Sequence, residues 1–253
     1  MGRVMAVAGE LKSGKTDFSL TFPKPLIALE FDIATVERAL WRHEGEDITV
    51  VRYPTPLGFG PEKNRDIKGV WDKFYSDYQK YVEGNQYATI TFDTATILWW
   101  IDHTTWLQEI NLKNAATPGK EKRTSLTSKE YGEPNNRMAS LIYAIRGTDK
   151  NLVLVHHLRP IYKSQMVNDK LIEYASAGRE VDGFKYTGNL VDYVIWMELE
   201  KQQGMVKPVG EVMSCGLVLS LIGNKTVEPT YDKLEAKIKV LRMAALGSYP
   251  TPG

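Results

Sequence analysis

Short apolar runs alternate along this chain with stretches in which apolar positions recur every three or four residues. A short continuous apolar run fits a strand buried on both faces, and the wider spacing fits a helix with one face on a core. Their alternation predicts an α/β fold, a mostly parallel central sheet flanked by helices. Strands are expected at 4–8, 26–31, 48–53, 88–92, 152–155 and 192–197, with a last strand or hairpin arm at 212–222. Helices are expected at 13–22, 34–41, 70–82, 96–112, 135–146 and 231–246, the first stopped by Pro23 and Pro25. Three stretches break the rhythm: a Pro/Gly-rich loop at 54–69 and two polar segments at 113–133 and 158–187. The polar segments exceed ordinary connections and are expected to be functional loops. With no repeat or interdomain linker, the chain reads as one domain over 1–253, ending in a short tail at 247–253.

The first strand runs into Gly9-Glu10-Leu11-Lys12-Ser13-Gly14-Lys15-Thr16, which fits G-x-x-x-x-G-K-[ST]. Glycines let such a loop curl so that its N–H groups point inward at phosphate oxygens. Lys15 is placed to reach the β- and γ-phosphates, and the Thr16 hydroxyl to ligate Mg²⁺. ATP and Mg²⁺ are therefore the expected ligands, contacted from Gly9 through Asp17. A second metal-side carboxylate belongs at the end of a neighbouring strand. Asp93 closes the run Ala88-Thr89-Ile90-Thr91-Phe92 and fills that place. Hydrolysis also needs a group to orient the attacking water. Glu30 ends the second strand and is the first choice, with Asp32 two residues on. Alternation along a strand would put both on one side.

Composition narrows the setting. Apolar residues make up 43% and charged residues 25% of 253, an ordinary globular mixture. No apolar run approaches the roughly 20 residues that cross a bilayer, so a cytoplasmic protein is expected. A single cysteine, Cys215, excludes an internal disulfide and a multi-cysteine zinc site. The adjacent His156 and His157 face opposite ways on a strand and could not share one ion without distortion. Lys and Arg number 32 against 31 acids, so a nucleic-acid partner would be held by a local basic surface.

Four segments in this order resemble the RecA-like recombination ATPases, particularly the compact phage-encoded forms linked to single-strand annealing and strand exchange. They are GELKSGKT with its short helix ended by FPKPL; LIALEFD; TITFDTAT followed by YGEPNNRM; and LVLVHHLR. The resemblance implies a RecA-like P-loop NTPase fold and a catalytic glutamate at Glu30. It also implies a polar γ-phosphate sensor at the end of the strand carrying His157, and a lysine, Lys225, that reaches the neighbouring subunit's ATP. Phe31-Asp32 departs from the small residues that the phage proteins carry after the glutamate, which leaves the base open between Glu30 and Asp32. His156-His157 stand where bacterial RecA has Asn-Gln, which leaves the sensor's identity open.

The resemblance also implies a homo-oligomer, ring or filament, on single-stranded DNA, working beside a single-strand-binding protein. Lys113, Lys120, Lys122, Arg123 and Lys129 populate the first polar segment. Arg159, Lys163, Lys170, Arg179 and Lys185 populate the second, among Tyr162, Tyr174, Phe184 and Tyr186. Cations for phosphates and rings for bases suit a single strand, with Lys120, Lys122, Arg123, Arg159 and Lys163 the expected contacts. Acids such as Glu121, Glu130, Asp169 and Glu180 dilute both segments, which are equally readable as solvated loops. The Trp99-Trp100 pair and Trp106 read as helix core or subunit contact. The expected function is an ATPase, stimulated by DNA, in recombination or annealing. Its rivals are a P-loop small-molecule kinase, against which 11 scattered arginines argue, and a nucleotide-gated interaction or packaging ATPase that ignores DNA.

Overall fold

The structure, a computed structural model, describes residues 2–54, 66–167 and 170–247. Of the expected loop at 54–69, positions 55–65 lie outside those residues and 67–69 instead open a helix; of the tail at 247–253, positions 248–253 lie outside them. Strands β1 (Val4–Gly9), β2 (Leu26–Glu30), β3 (Ile48–Arg52), β4 (Thr89–Asp93) and β5 (Asn151–Val167) run parallel, and β7 (Tyr193–Gln202) joins them beside β1. The β6 strand (Lys170–Val181) pairs antiparallel with β5; β8 (Met205–Cys215) and β9 (Lys225–Val227) close the far edge. The order is β3-β2-β4-β5-β1-β7-β8-β9. This is the RecA-like P-loop NTPase fold, a mostly parallel sheet flanked by helices.

Alternation of side chains builds two cores. Val4 and Ala6, Ile27 and Leu29, and Leu152 and Leu154 face one way. They meet α3 (Ile67–Glu83), α4 (Ala95–Ala115) and α5 (Gly132–Arg146). Met5 and Val7, Leu26 and Ala28, and Val153 face the other way, toward α1 (Lys15–Ser19), α2 (Thr35–Leu40) and α7 (Tyr231–Gly247). The four-residue α6 (Thr187–Leu190) precedes β7. No helix among the described residues is long and apolar enough to cross a membrane.

Three expectations need correction. The first helix is five residues long, not ten: the Thr21 hydroxyl donates to the Phe18 carbonyl near its end, and the Lys24 ammonium donates to the carbonyls of Leu20 and Phe22 just beyond it, before Pro25. The segment 158–187 is mostly not a loop: β5 continues to Val167 and β6 returns as an antiparallel arm. The 212–222 stretch leaves the strand at Cys215 and makes a 3-10 turn at Leu219–Leu221 before β9.

Helix α4 leaves the sheet directly after Asp93, and Thr94 caps it by accepting from the Ile97 N–H at 3.3 Å. Farther down, Asp102 is fully buried with no hydrogen-bond partner for either oxygen, and its nearest cation is Arg137 Nη1 of α5 at 3.7 Å. Arg137 donates from Nε to Glu133 and from Nη2 to Glu109, and lies against Trp106. Burial therefore pushes the Asp102 carboxyl up to about 8 despite Arg137, with Glu133 and Glu109 adding to the rise. An unfolded aspartate titrates near ~3.9, so the folded protein holds this proton more tightly. Stability from Asp102 is thus complete below about pH 4 and is lost as pH rises through 8. Asp102→Asn should flatten the pH dependence of unfolding between those limits, measured by urea titration at a series of pH values.

Candidate nucleotide-binding site

Parallel pairing sets the parts of the site in one row. Gly9 lies opposite His157, Asp93 opposite Val155, and Glu30 opposite Asp93, all at the carboxyl ends of their strands. Gly9 has no room for a side chain: a Cβ there would sit 2.3 Å from the Met197 carbonyl oxygen. Gly14 turns the loop into α1 with φ of 89°, in the left-handed region that glycine adopts without strain. Within the loop the Glu10 carbonyl accepts from Ser13 Oγ at 2.9 Å and from Lys15 Nζ at 2.5 Å. Burial lowers the Lys15 ammonium below its ordinary range, and the Asp93 charge opposes that shift.

A cavity of about 730 Å³ opens over this loop. It is lined by Leu11 to Asp17, Asp32, Thr35, Arg38, Arg42, Asp93 and His157, among others. Asp93 is 1% exposed, and its Oδ1 accepts from Thr35 Oγ1 at 3.2 Å. Its Oδ2 has no partner among the described residues. Burial raises its carboxyl to about 6, against the pull of the Thr16 and Thr35 hydroxyls. An orphaned carboxylate oxygen beside the Thr16 hydroxyl fits a hard cation. Thr16 and Asp93 would hold Mg²⁺ there, and the ion would neutralise phosphate oxygens.

The two acids after β2 are separated. Glu30 is buried and committed: Oε1 accepts from the Val36 N–H at 2.8 Å, and Oε2 from Arg52 Nε at 2.9 Å. It does not line the phosphate cavity. Asp32 does, with its Oδ2 3.9 Å from His157 Nε2. Of the two candidate water-orienting acids, Asp32 thus borders the phosphate cavity and Glu30 stands behind it. Alternation fails to keep the two together because β2 ends at Glu30 and the chain turns into Ala34, at φ of 54°.

The histidines part as their strand requires. His157 faces the cavity, with burial and the Lys15 charge lowering its imidazole below the ordinary value. His156 is fully buried on the other face, with Nδ1 3.0 Å from the Asp182 carbonyl oxygen. Lys225 lies at the sheet's edge, where Glu198 and Glu200 accept from it at 2.8 and 2.7 Å and Glu211 stands at 3.7 Å.

The five residues expected to meet DNA divide. Lys120 and Lys122 are exposed, and Arg123 is tied by both Nη atoms to Glu130. Asn111 pins this loop to α4 through the Arg123 backbone. Asn111 is sixteen residues below Ala95, about 24 Å along a helix. Arg159 and Lys163 stand instead on β5, in the same strand as His157. Arg159 pairs with Glu180, whereas Lys163 is exposed. The side chain of Lys170 lies outside the described set.

Sequence reasoning missed Thr35, Arg38 and Arg42 at the cavity wall, and the ion pair between Arg179 of β6 and Glu10 of the loop. None carries a local signal. The arginines look scattered in the sequence because their meeting depends on how α2 packs over α1.

A loop with its lysine buried under it, a Thr and a strand-end Asp converging beside it, and this strand order define a RecA-like P-loop ATPase. Residues 1–226 match the AAA domain family, and the chain belongs to it. No curated protein matches the chain. A KaiC-like protein from the hyperthermophilic archaeon Pyrococcus horikoshii OT3 is similar at 10% identity over 90% of each chain, with a TM-score of 0.44.

Lys15→Ala should cut ATP hydrolysis by about 100-fold or more, read by phosphate release. Asp32→Asn should slow turnover by a similar factor with ATP affinity kept. Glu30→Gln should change turnover by less than about fivefold, because the amide still accepts from Val36. A crippled Glu30→Gln beside an active Asp32→Asn would return the role to Glu30.

Proposed function

We propose that this chain is a Mg²⁺-dependent ATPase that binds single-stranded DNA as an oligomer and promotes homologous recombination or strand annealing. The observation that carries the reading is the continuity of β5, which bears His157 at the phosphate cavity and then Arg159, Tyr162 and Lys163 on a projecting arm. Tyr162 is 62% exposed, and Tyr174 of β6 is 46% exposed. Exposed rings beside cations suit unstacked bases and backbone phosphates. The Arg179–Glu10 pair ties the base of the same arm to the phosphate loop.

In this reading the loop N–H groups and Lys15 hold the phosphates. Asp32 orients water and takes its proton, and His157 senses the γ-phosphate. The nucleobase enters a neighbouring cavity of about 420 Å³ bordered by Thr21, Met197, Pro208 and Pro229, which shares Gly14, Asp17 and Arg42 with the phosphate cavity. Lys225 acts on a neighbour's nucleotide only after leaving its carboxylates, so assembly must supply the exchange. A single-strand-binding protein is the expected source of the strand.

The test is ATP hydrolysis with and without single-stranded DNA, alongside particle size in each nucleotide state. Stimulation by DNA with growth in size is the expected result. Arg159→Gln with Lys163→Gln should flatten log affinity against log salt by about 1.4, at ~0.7 for each phosphate that is no longer neutralised. DNA that neither binds at low salt nor alters hydrolysis would leave an ATPase gated by a protein partner.

A further inference from the structure

A second cavity, of about 510 Å³, lies beside the phosphate cavity and shares Asp32 and Ile33 with it as a common wall. Phe31, Tyr53 and Ile97 line its interior, and Trp100 is on its wall. The other tryptophans of α4 are occupied. Trp99 packs on Phe184 and Tyr131, and Trp106 lies against Arg137 and Lys113. Trp100 is 39% exposed and has no ring or cation contact among the described residues. A half-wetted indole on an apolar cleft of this size is a flat platform for a small ring.

The polar groups around the cleft say which ring. Asp32 and Glu37 offer carboxylate oxygens, while Arg52, the one guanidinium, is already engaged by Glu30 and Glu37. With two carboxylates against one guanidinium whose Nε and Nη2 are already paired, the cleft is richer in acceptors than in donors, which favours a ring that carries an amine. We infer that this cleft is a nucleobase site, with Trp100 stacking the ring and Asp32 and Glu37 selecting a base that carries an exocyclic amine, such as adenine, over thymine. Asp32 then touches both ligands, so an occupied cleft fixes the group that faces the γ-phosphate. This rests on the single-strand reading above insofar as the base belongs to a strand. A free nucleoside presents the same chemistry.

The experiment saturates the P-loop with a non-hydrolysable ATP analogue. It then measures the affinity of labelled oligodeoxyadenylate, oligothymidylate and an abasic strand of equal length, and the binding heat of free deoxyadenosine. The adenylate strand should bind about tenfold or more tighter than the abasic strand, with thymidylate between. Trp100→Ala should erase that gap, Trp100→Phe should keep most of it, and both should bind ATP as wild type does. Deoxyadenosine heat that disappears in Trp100→Ala would assign the cleft to free nucleosides; a strand gap without such heat would assign it to bases in a strand. Equal adenylate and abasic affinity without nucleoside heat overturns the inference, and abasic binding then leaves the single-strand reading standing. A gap untouched by Trp100→Ala overturns it too. If no strand binds, the single-strand reading falls and the nucleoside heat alone decides the cleft.

Discussion

Burying a carboxylate with one oxygen unpaired costs free energy, which the surrounding structure must offset. Asp93 is held in that state at the end of a central strand, and much of the site follows from it. Thr35 reaches from α2 to one oxygen, the Thr16 hydroxyl lies beside the carboxyl, and Lys15 contributes opposite charge. The other oxygen has no partner among the described residues, and a cation would fit there. Pairing of β4 with β2 and β5 fixes the height of Asp93 against Glu30 and Val155, so the geometry belongs to the sheet.

Glu30 shows the same constraint from the opposite side. Its oxygens are consumed by the Val36 N–H of α2 and by Arg52, which in turn holds Glu37. Saturated in this way, a buried acid becomes a structural anchor for the α2 turn. That anchor presents Thr35 to the phosphate cavity and Asp32 and Ile33 to both cavities.

Much of this was legible in the sequence. The phosphate loop is a contiguous string whose chemistry demands its spacing, and the buried strands are runs of β-branched and aliphatic residues. What stayed hidden depends on contacts across the chain. The arm of β5 and β6 reads LRPIYKSQMV and KLIEYASAGREV, in which charged, small and apolar residues follow no steady period of two, so it lacks the apolar alternation that marks a strand. Which of Glu30 and Asp32 borders the cavity depends on where β2 ends, a one- or two-residue matter set by Arg52 and Val36. Arg179 and Glu10 are separated by most of the chain, and only the antiparallel return of β6 brings them together.

Strand β5 is also a mechanical part. Val167 lies ten residues beyond His157, about 33 Å of extended chain. Leverage therefore favours the outer end: a tilt of about 5° at the root would sweep it by about 3 Å over that length. An irregularity in pairing between Pro160 and Tyr162 forms an elbow partway along, which re-aims the side chains beyond it. A rigid beam would transmit a root movement unchanged, whereas a jointed one can divide it into swing and twist. Any tilt at the root of β5 would therefore be felt most beyond that elbow, on the stretch that begins with Tyr162 and Lys163.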